Sequence, residues 1–183
     1  PEHGTVNHDG WQGDPGRMGF GTNEAGFGCF AQTTSTHSLL DTGWPINFSG
    51  SNTIMFWTRM SAASASYCYA FGSSTGSGRC YSTNTYWSLR SWGNLPSYID
   101  SATNPGSLTG WNHWAVVIDD AAGTGQWYLN VVADGTGMTY TPGTFAFNPG
   151  GTFIWGRYGT STTSSMLSAY YDSDDVRVYS RAL

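Results

Sequence analysis

The sequence predicts an all-β fold, a single two-sheet antiparallel β-sandwich, and three observations carry that expectation. Glycine and proline, 25 and 7 of the 183 residues, punctuate the chain at short intervals and leave little room for long helices. Between the breaks lie short runs rich in Thr, Val, Ile, Tyr, Phe and Trp, residue types that suit a pleated, half-buried surface. The run Gln126–Val132 alternates: Trp127, Leu129 and Val131 point one way, and Gln126, Tyr128 and Asn130 the other. That period of two puts one strand face in a core and the other in water.

The elements follow in chain order. Residues 1–25, with glycine at 4, 10, 13, 16, 19 and 21, form an irregular amino-terminal arm packed on the sandwich, which occupies 26–183. Phe27–Thr33 carries a faint strand pattern. Clearer strands are expected at Thr53–Arg59, Tyr67–Phe71, Cys80–Thr83 and Tyr86–Trp92. Ala102–Gly110 is a loop turning on Asn104-Pro105-Gly106. His113–Ile118 is apolar on nearly both faces and reads as a central strand. A glycine-containing hairpin loop, Asp119–Gly125, joins it to Gln126–Val132. Asp134-Gly135 is the next tight turn. Strands at Thr152–Tyr158 and Asp175–Tyr179 complete the set, separated by the polar loop Ser161–Ser165. No linker, charge run or internal repeat divides the chain.

Composition excludes several functions. The hydrophobic fraction of 39%, with nine Trp and eleven Tyr, is too high for a disordered chain. The seven basic residues are all arginine: Arg17, Arg59, Arg79, Arg90, Arg157, Arg177 and Arg181. Without lysine there is no Schiff-base chemistry and no P-loop. A net charge of −5 with scattered arginines offers no track for a nucleic-acid backbone. No apolar run is long enough to insert in a membrane. No signal-peptide pattern is visible, and Pro1 fits either a removed initiator Met or a processed piece of a longer protein. Cys29 reads as a small buried hydrophobe. Cys68 and Cys80 flank a glycine-rich turn at a spacing that suits a cross-hairpin disulfide, with two free thiols as the alternative.

Several patterns, in this order, resemble the laminin-G-like, concanavalin-A-like lectin and glucanase jelly-roll family. Thr53-Ile54-Met55-Phe56-Trp57 is similar to the family's T-I-x-F-W strand. Trp111-Asn112-His113-Trp114-Ala115-Val116-Val117 resembles its W-x-H-V-A-V strand. Gln126-Trp127-Tyr128-Leu129-Asn130 resembles the return strand, with Asp134-Gly135 as a shifted D-G turn. Thr152-Phe153-Ile154-Trp155-Gly156-Arg157 resembles F-x-I-G-R. The fullest match is Asp174-Asp175-Val176-Arg177-Val178-Tyr179-Ser180-Arg181-Ala182-Leu183, close to D-D-V-R-I-Y-N-R-A-L. The resemblance implies a jelly roll of two packed antiparallel sheets. It does not imply one function, because function lives in sites grafted onto a fold. Family members often carry an Asp-rich turn near the position of Ala31–His37, and here that stretch has no carboxylate.

Glycoside hydrolysis needs two carboxylates about the scissile bond, about 5–5.5 Å apart in retaining enzymes. The family's retaining glucanases carry an E-x-D-x-E strand, and this chain has only Glu2 and Glu24. Asp119 and Asp120 read as turn residues, Asp175 as a strand ion pair, and His113 as a sheet histidine. No G-x-S-x-G elbow is present. The chain therefore reads as no enzyme. Asp172 and Asp174 are the residues open to calcium, which takes several oxygens; no other cofactor is expected. Carbohydrate binding needs flat aromatics beside polar groups, because sugar rings have apolar faces and polar edges. Tyr81, Tyr86, Trp87, Arg90, Trp92 and Asn94 meet that requirement, although such aromatics also build cores. The first expectation is a non-catalytic lectin-like module for a glycan or glycoprotein surface, extracellular or surface-exposed. The alternative is a structural surface component, a virion decoration, fibre or cell-surface subunit, whose low charge suits contact with copies of itself or other subunits. A hydrolase is a distant third.

Overall fold

Strands that each bury one face need a second layer to bury it against, and the chain builds two sheets for that purpose. The computed structural model describes residues 5–7, 30–31, 39–45, 48–60, 68–76, 78–83, 85–91, 98–147, 150–159 and 171–183. Their strands are β1 (Thr5–Asn7), β2 (Phe30–Ala31), β3 (Leu39–Pro45), β4 (Phe48–Ser49), β5 (Asn52–Met60), β6 (Cys68–Ser73), β7 (Gly78–Ser82), β8 (Trp87–Ser91), β9 (Ile99–Asp100), β10 (Trp111–Asp119), β11 (Thr124–Leu129), β12 (Val132–Thr139), β13 (Ala146–Phe147), β14 (Thr152–Trp155) and β15 (Tyr171–Tyr179). One sheet has seven strands in the order β1-β3-β14-β6-β7-β8-β9, and the other has six in the order β12-β11-β10-β5-β15-β2. A two-stranded ribbon, β13-β4, accompanies them. The ladders are antiparallel, as in β10 with β5 and β7 with β8. Among the described residues no helix is long and apolar enough to cross a membrane.

The core follows from strand alternation. In β10, Trp114, Val116 and Ile118 are buried in the cluster between the sheets. The opposite sheet supplies Phe71, Cys80, Trp87, Leu89, Phe153 and Trp155. Phe56 is the hub: its ring meets Phe71, Trp87, Trp127 and Trp155 edge-on, at centroid distances of 6.4, 5.6, 6.4 and 5.2 Å. Edge-to-face contacts use the ring quadrupole as well as the buried area. Trp127 Nε1 donates to the Ile99 carbonyl at 2.8 Å, tying the six-stranded sheet to the seven-stranded one.

Several expectations need correction. The strand predicted as Gln126–Val132 ends at Leu129. Leu129 pairs with Val132, and the two residues between them, Asn130 and Val131, have φ of 49° and 67°. This is the positive-φ geometry of a two-residue hairpin, so Val131 does not point into the core; it is 84% exposed. Asp134-Gly135 is no turn but lies inside β12. Asp134 is buried there: Oδ2 accepts from the Ala102 and Thr103 amides at 3.1 and 3.0 Å, and Oδ1 from the Thr103 hydroxyl at 2.6 Å. Cys68 and Cys80 form no disulfide; both are buried. A bulge between Tyr69 and Phe71 sets the register so that Cys68 faces Ser82 and Cys80 faces Phe71. The amino-terminal arm is not wholly irregular, since Thr5–Asn7 pairs with β3 at the sheet edge. The rest of residues 1–25, and the Ser161–Ser165 loop, lie outside the described residues.

Candidate functional site: an aromatic and arginine face

Alternation in β7 and β8 divides the predicted binding cluster between two environments. Cys80, Trp87 and Leu89 belong to the core, so Arg79, Tyr81, Ser88 and Arg90 occupy the opposite, outer face of the seven-stranded sheet. Trp87 is thereby removed from the binding set. It is 0% exposed, with its ring 5.6 Å from Phe56 and 6.3 Å from Trp114. Tyr86 is half-buried just before β8. Trp92 and Asn94 lie outside the described residues.

The outer face carries a ladder of alternating rings and guanidiniums. The Arg79 guanidinium carbon lies 4.7 Å from the Tyr158 ring centre and 5.7 Å from that of Tyr81. The Arg90 guanidinium carbon lies 4.8 Å from the Tyr81 ring centre and 3.5 Å from that of Tyr98. Tyr69 extends the aromatic surface, with its ring 5.5 Å from Tyr81 and 4.7 Å from Tyr158. Cation–π attraction holds such stacks together. Gly72 makes the close approach of Tyr158 feasible: a β-carbon on Gly72 would collide with the Tyr158 side chain and the Gly78 carbonyl.

Exposure is graded along the ladder. Tyr81 is only 1% exposed, roofed by its neighbours, whereas Tyr98 at the end is 51% exposed. Burial pushes the Tyr81 hydroxyl above its ordinary pKa, opposed by its hydrogen bond with Ser88 and by the positive charge of Arg90 and Arg79. Ser88 also donates to Asp100 Oδ1 at 2.5 Å. Of the residues named from sequence, Tyr81 and Arg90 lie in this ladder, whose other members, Arg79, Tyr98, Tyr158 and Tyr69, were not named. Arg79 was legible as the outward neighbour of Tyr81 in β7. Tyr98 and Tyr158 join only through the sheet order, which places β9 beside β8 and β14 beside β6.

The remaining candidates stand elsewhere. Asp119 caps its turn, accepting the Ala122 amide at 3.1 Å. Asp120 is buried and accepts the Phe145 amide at 2.8 Å, so it clamps a loop rather than sitting in solvent. Asp175 pairs with Arg177, Oδ1 to Nε, at 2.7 Å. Asp174 is buried with Oδ1 accepting the Asp175 amide at 2.7 Å. The side chain of Asp172 lies outside the described residues. Among the described residues no three His, Cys, Asp or Glu side chains gather as metal ligands.

A laminin G family model, described as the concanavalin A-like lectin/glucanases superfamily, matches residues 31–183. No curated protein matches the chain. Among solved structures, a heptameric SAP-like pentraxin from Limulus polyphemus is similar at 17% identity and a TM-score of 0.59, covering 84% of this chain and 74% of that one. The binding domain of botulinum neurotoxin DC, solved in complex with rat synaptotagmin II, is similar at 12% identity and a TM-score of 0.64; it covers 100% of this chain but 44% of that one. The binding domain of botulinum neurotoxin serotype D gives 12% identity and a TM-score of 0.62 with the same coverage. Identities this low speak for a shared fold.

Proposed function

The chain belongs to the concanavalin A-like lectin/glucanases superfamily, and from that premise we propose that it is a non-catalytic, lectin-like module for glycans or glycoconjugates, extracellular or surface-exposed. The observation that carries this reading is the ring and guanidinium ladder on the outer face of the seven-stranded sheet. Exposed Tyr98 offers a flat apolar surface, while Arg79, Arg90 and the tyrosine hydroxyls supply polar groups beside it. A sugar ring needs that combination. The carboxylates support a non-catalytic role, because Asp119, Asp120, Asp134 and Asp175 are engaged in turns, loops and an ion pair.

Glycan-array screening followed by calorimetry tests the reading. Tyr98→Ala is expected to weaken binding by about tenfold, the loss of one stacking contact worth about 1–1.5 kcal/mol. Unchanged affinity in that variant would move the site off this face, and release of reducing sugar from an oligosaccharide would contradict the non-catalytic role. The carboxylates proposed for calcium are Asp172 and Asp174, both in β15. A rise in melting temperature on adding calcium, lost in Asp174→Asn, would support a cation there, and no rise would remove it.

A structural surface subunit is the second reading, favoured by the outer face of the six-stranded sheet. Trp57, Val131 and Val132 are exposed, and Val131 lines a depression of ≈ 250 Å³ together with Met55, Val117, Tyr128 and Leu183 among others. Concentration-dependent association in light scattering would favour assembly, and a monomer at high concentration would disfavour it.

A further inference from the structure

Arg79 and Arg90 are direct partners across the β7–β8 ladder. Like charges placed directly opposite one another destabilise a sheet, and here they occur in a chain with only seven basic residues and a net charge of −5. Among the described residues Arg90 makes no ion pair, and its Nε is buried without a hydrogen-bond partner. The carboxylate on the neighbouring strand, Asp100, is held by Ser88. Stacking on Tyr81 and Tyr98 keeps the Arg90 guanidinium in place, but a stacked guanidinium still has donors around its planar edge, and that edge is suited to an oxyanion. Tyr98, stacked on Arg90 and half exposed, lies where a sugar ring could rest while its acidic substituent reaches the guanidinium.

From this arrangement we infer that the face takes an acidic saccharide, one bearing carboxylate or sulfate groups, in preference to a neutral one. The inference rests on the proposal that this face binds glycans, and it goes further by naming the charge of the ligand. An oxyanion on the Arg90 edge supplies the partner that this charge lacks among the described residues. Binding is therefore coupled to stability, and the ligand raises the melting temperature.

The test compares oligomers of matched length by calorimetry at low and at physiological salt: oligogalacturonate and dextran sulfate against neutral galactan and dextran, with a poly-glutamate peptide of equal charge. At least one acidic oligomer is expected to bind about tenfold or more tightly than its neutral counterpart, an advantage that shrinks as salt rises. Arg90→Gln, checked for folding by near-UV circular dichroism, is expected to collapse that ratio to within about threefold. Should Arg90→Gln fail to fold, Arg79→Gln carries the same expectation. Equal affinity for neutral and acidic oligomers would overturn the inference while leaving glycan binding intact. A ratio unmoved in the Gln variant, or poly-glutamate binding as tightly as the acidic saccharides, would also overturn it. Binding of no saccharide at all would overturn both the inference and the function it rests on.

Discussion

His113 shows how one side chain couples its sheet to pH. It sits on the outer face of β10, half-buried, with its ring 5.2 Å from that of Trp57. Burial lowers its pKa, the Asp175 carboxylate opposes that shift, and the Arg177 guanidinium adds to it. A base whose folded pKa lies below its unfolded one binds protons more readily in the unfolded chain. Its contribution to stability is therefore intact above the ordinary value of about 6.5 and is lost as pH falls through that value toward the folded pKa. The melting temperature is expected to drop between pH 7 and pH 5, and His113→Gln to flatten part of that drop. Thermal melts across this range provide the check; an identical slope in the variant would assign the effect to other groups.

The β11–β12 hairpin marks where a sequence pattern loses to a backbone requirement. Asn tolerates positive φ, but Val is among the residues least suited to it, because its branched β-carbon meets the backbone. Asp134-Gly135 looked the better turn, yet the hairpin closes at Asn130-Val131. Leu129 against Val132 fixes the register that places Trp127 in the core and brings Asp134 to the amides of Ala102 and Thr103. The Asn130 side chain supports the turn by accepting the His113 amide at 2.9 Å. Core packing and a satisfied carboxylate thus outweigh a strain of roughly 1–3 kcal/mol at one exposed residue. Val131→Gly should relieve it. The expected gain, net of glycine's entropy cost, is about 1 kcal/mol, or a rise of roughly 2–4 °C in melting temperature. A fall instead would mean that the Val131 side chain stabilises the depression it borders.

At the scale of the whole molecule, legibility followed period and proximity. β5 and β10 were readable as short runs of β-branched and aromatic residues, and most of β11 because apolar residues alternate within a few positions. β3 was not, since Leu39–Pro45 contains Gly43 at a φ of 73° and ends in proline, both of which mimic a loop. The aromatic and arginine face was half readable for a related reason. Grouping Tyr86, Trp87 and Arg90 by closeness in sequence ignored that neighbours in a strand point to opposite sides, and that put Trp87 in the site instead of the core. Tyr98 and Tyr158 needed the sheet order, which no local pattern states. The same long-range closure makes the last strand indispensable. β15 pairs with β5, matching Tyr179 to Thr53 and Asp174 to Trp57, and separates β5 from β2 in the six-stranded sheet. It also adds Val176 and Val178 to the core rim, and Thr53 Oγ1 donates to the Arg181 carbonyl just beyond it at 2.9 Å. A chain ending at residue 170 would leave β5 as an open edge, with unpaired amides and carbonyls beside exposed apolar surface, a template for aggregation. Such a chain is expected to lose its near-UV circular dichroism and to elute as aggregate on size exclusion, while the 183-residue chain gives a sharp thermal transition. A truncated chain that kept its near-UV signal and melted cooperatively would show that the remaining strands close the sandwich without β15.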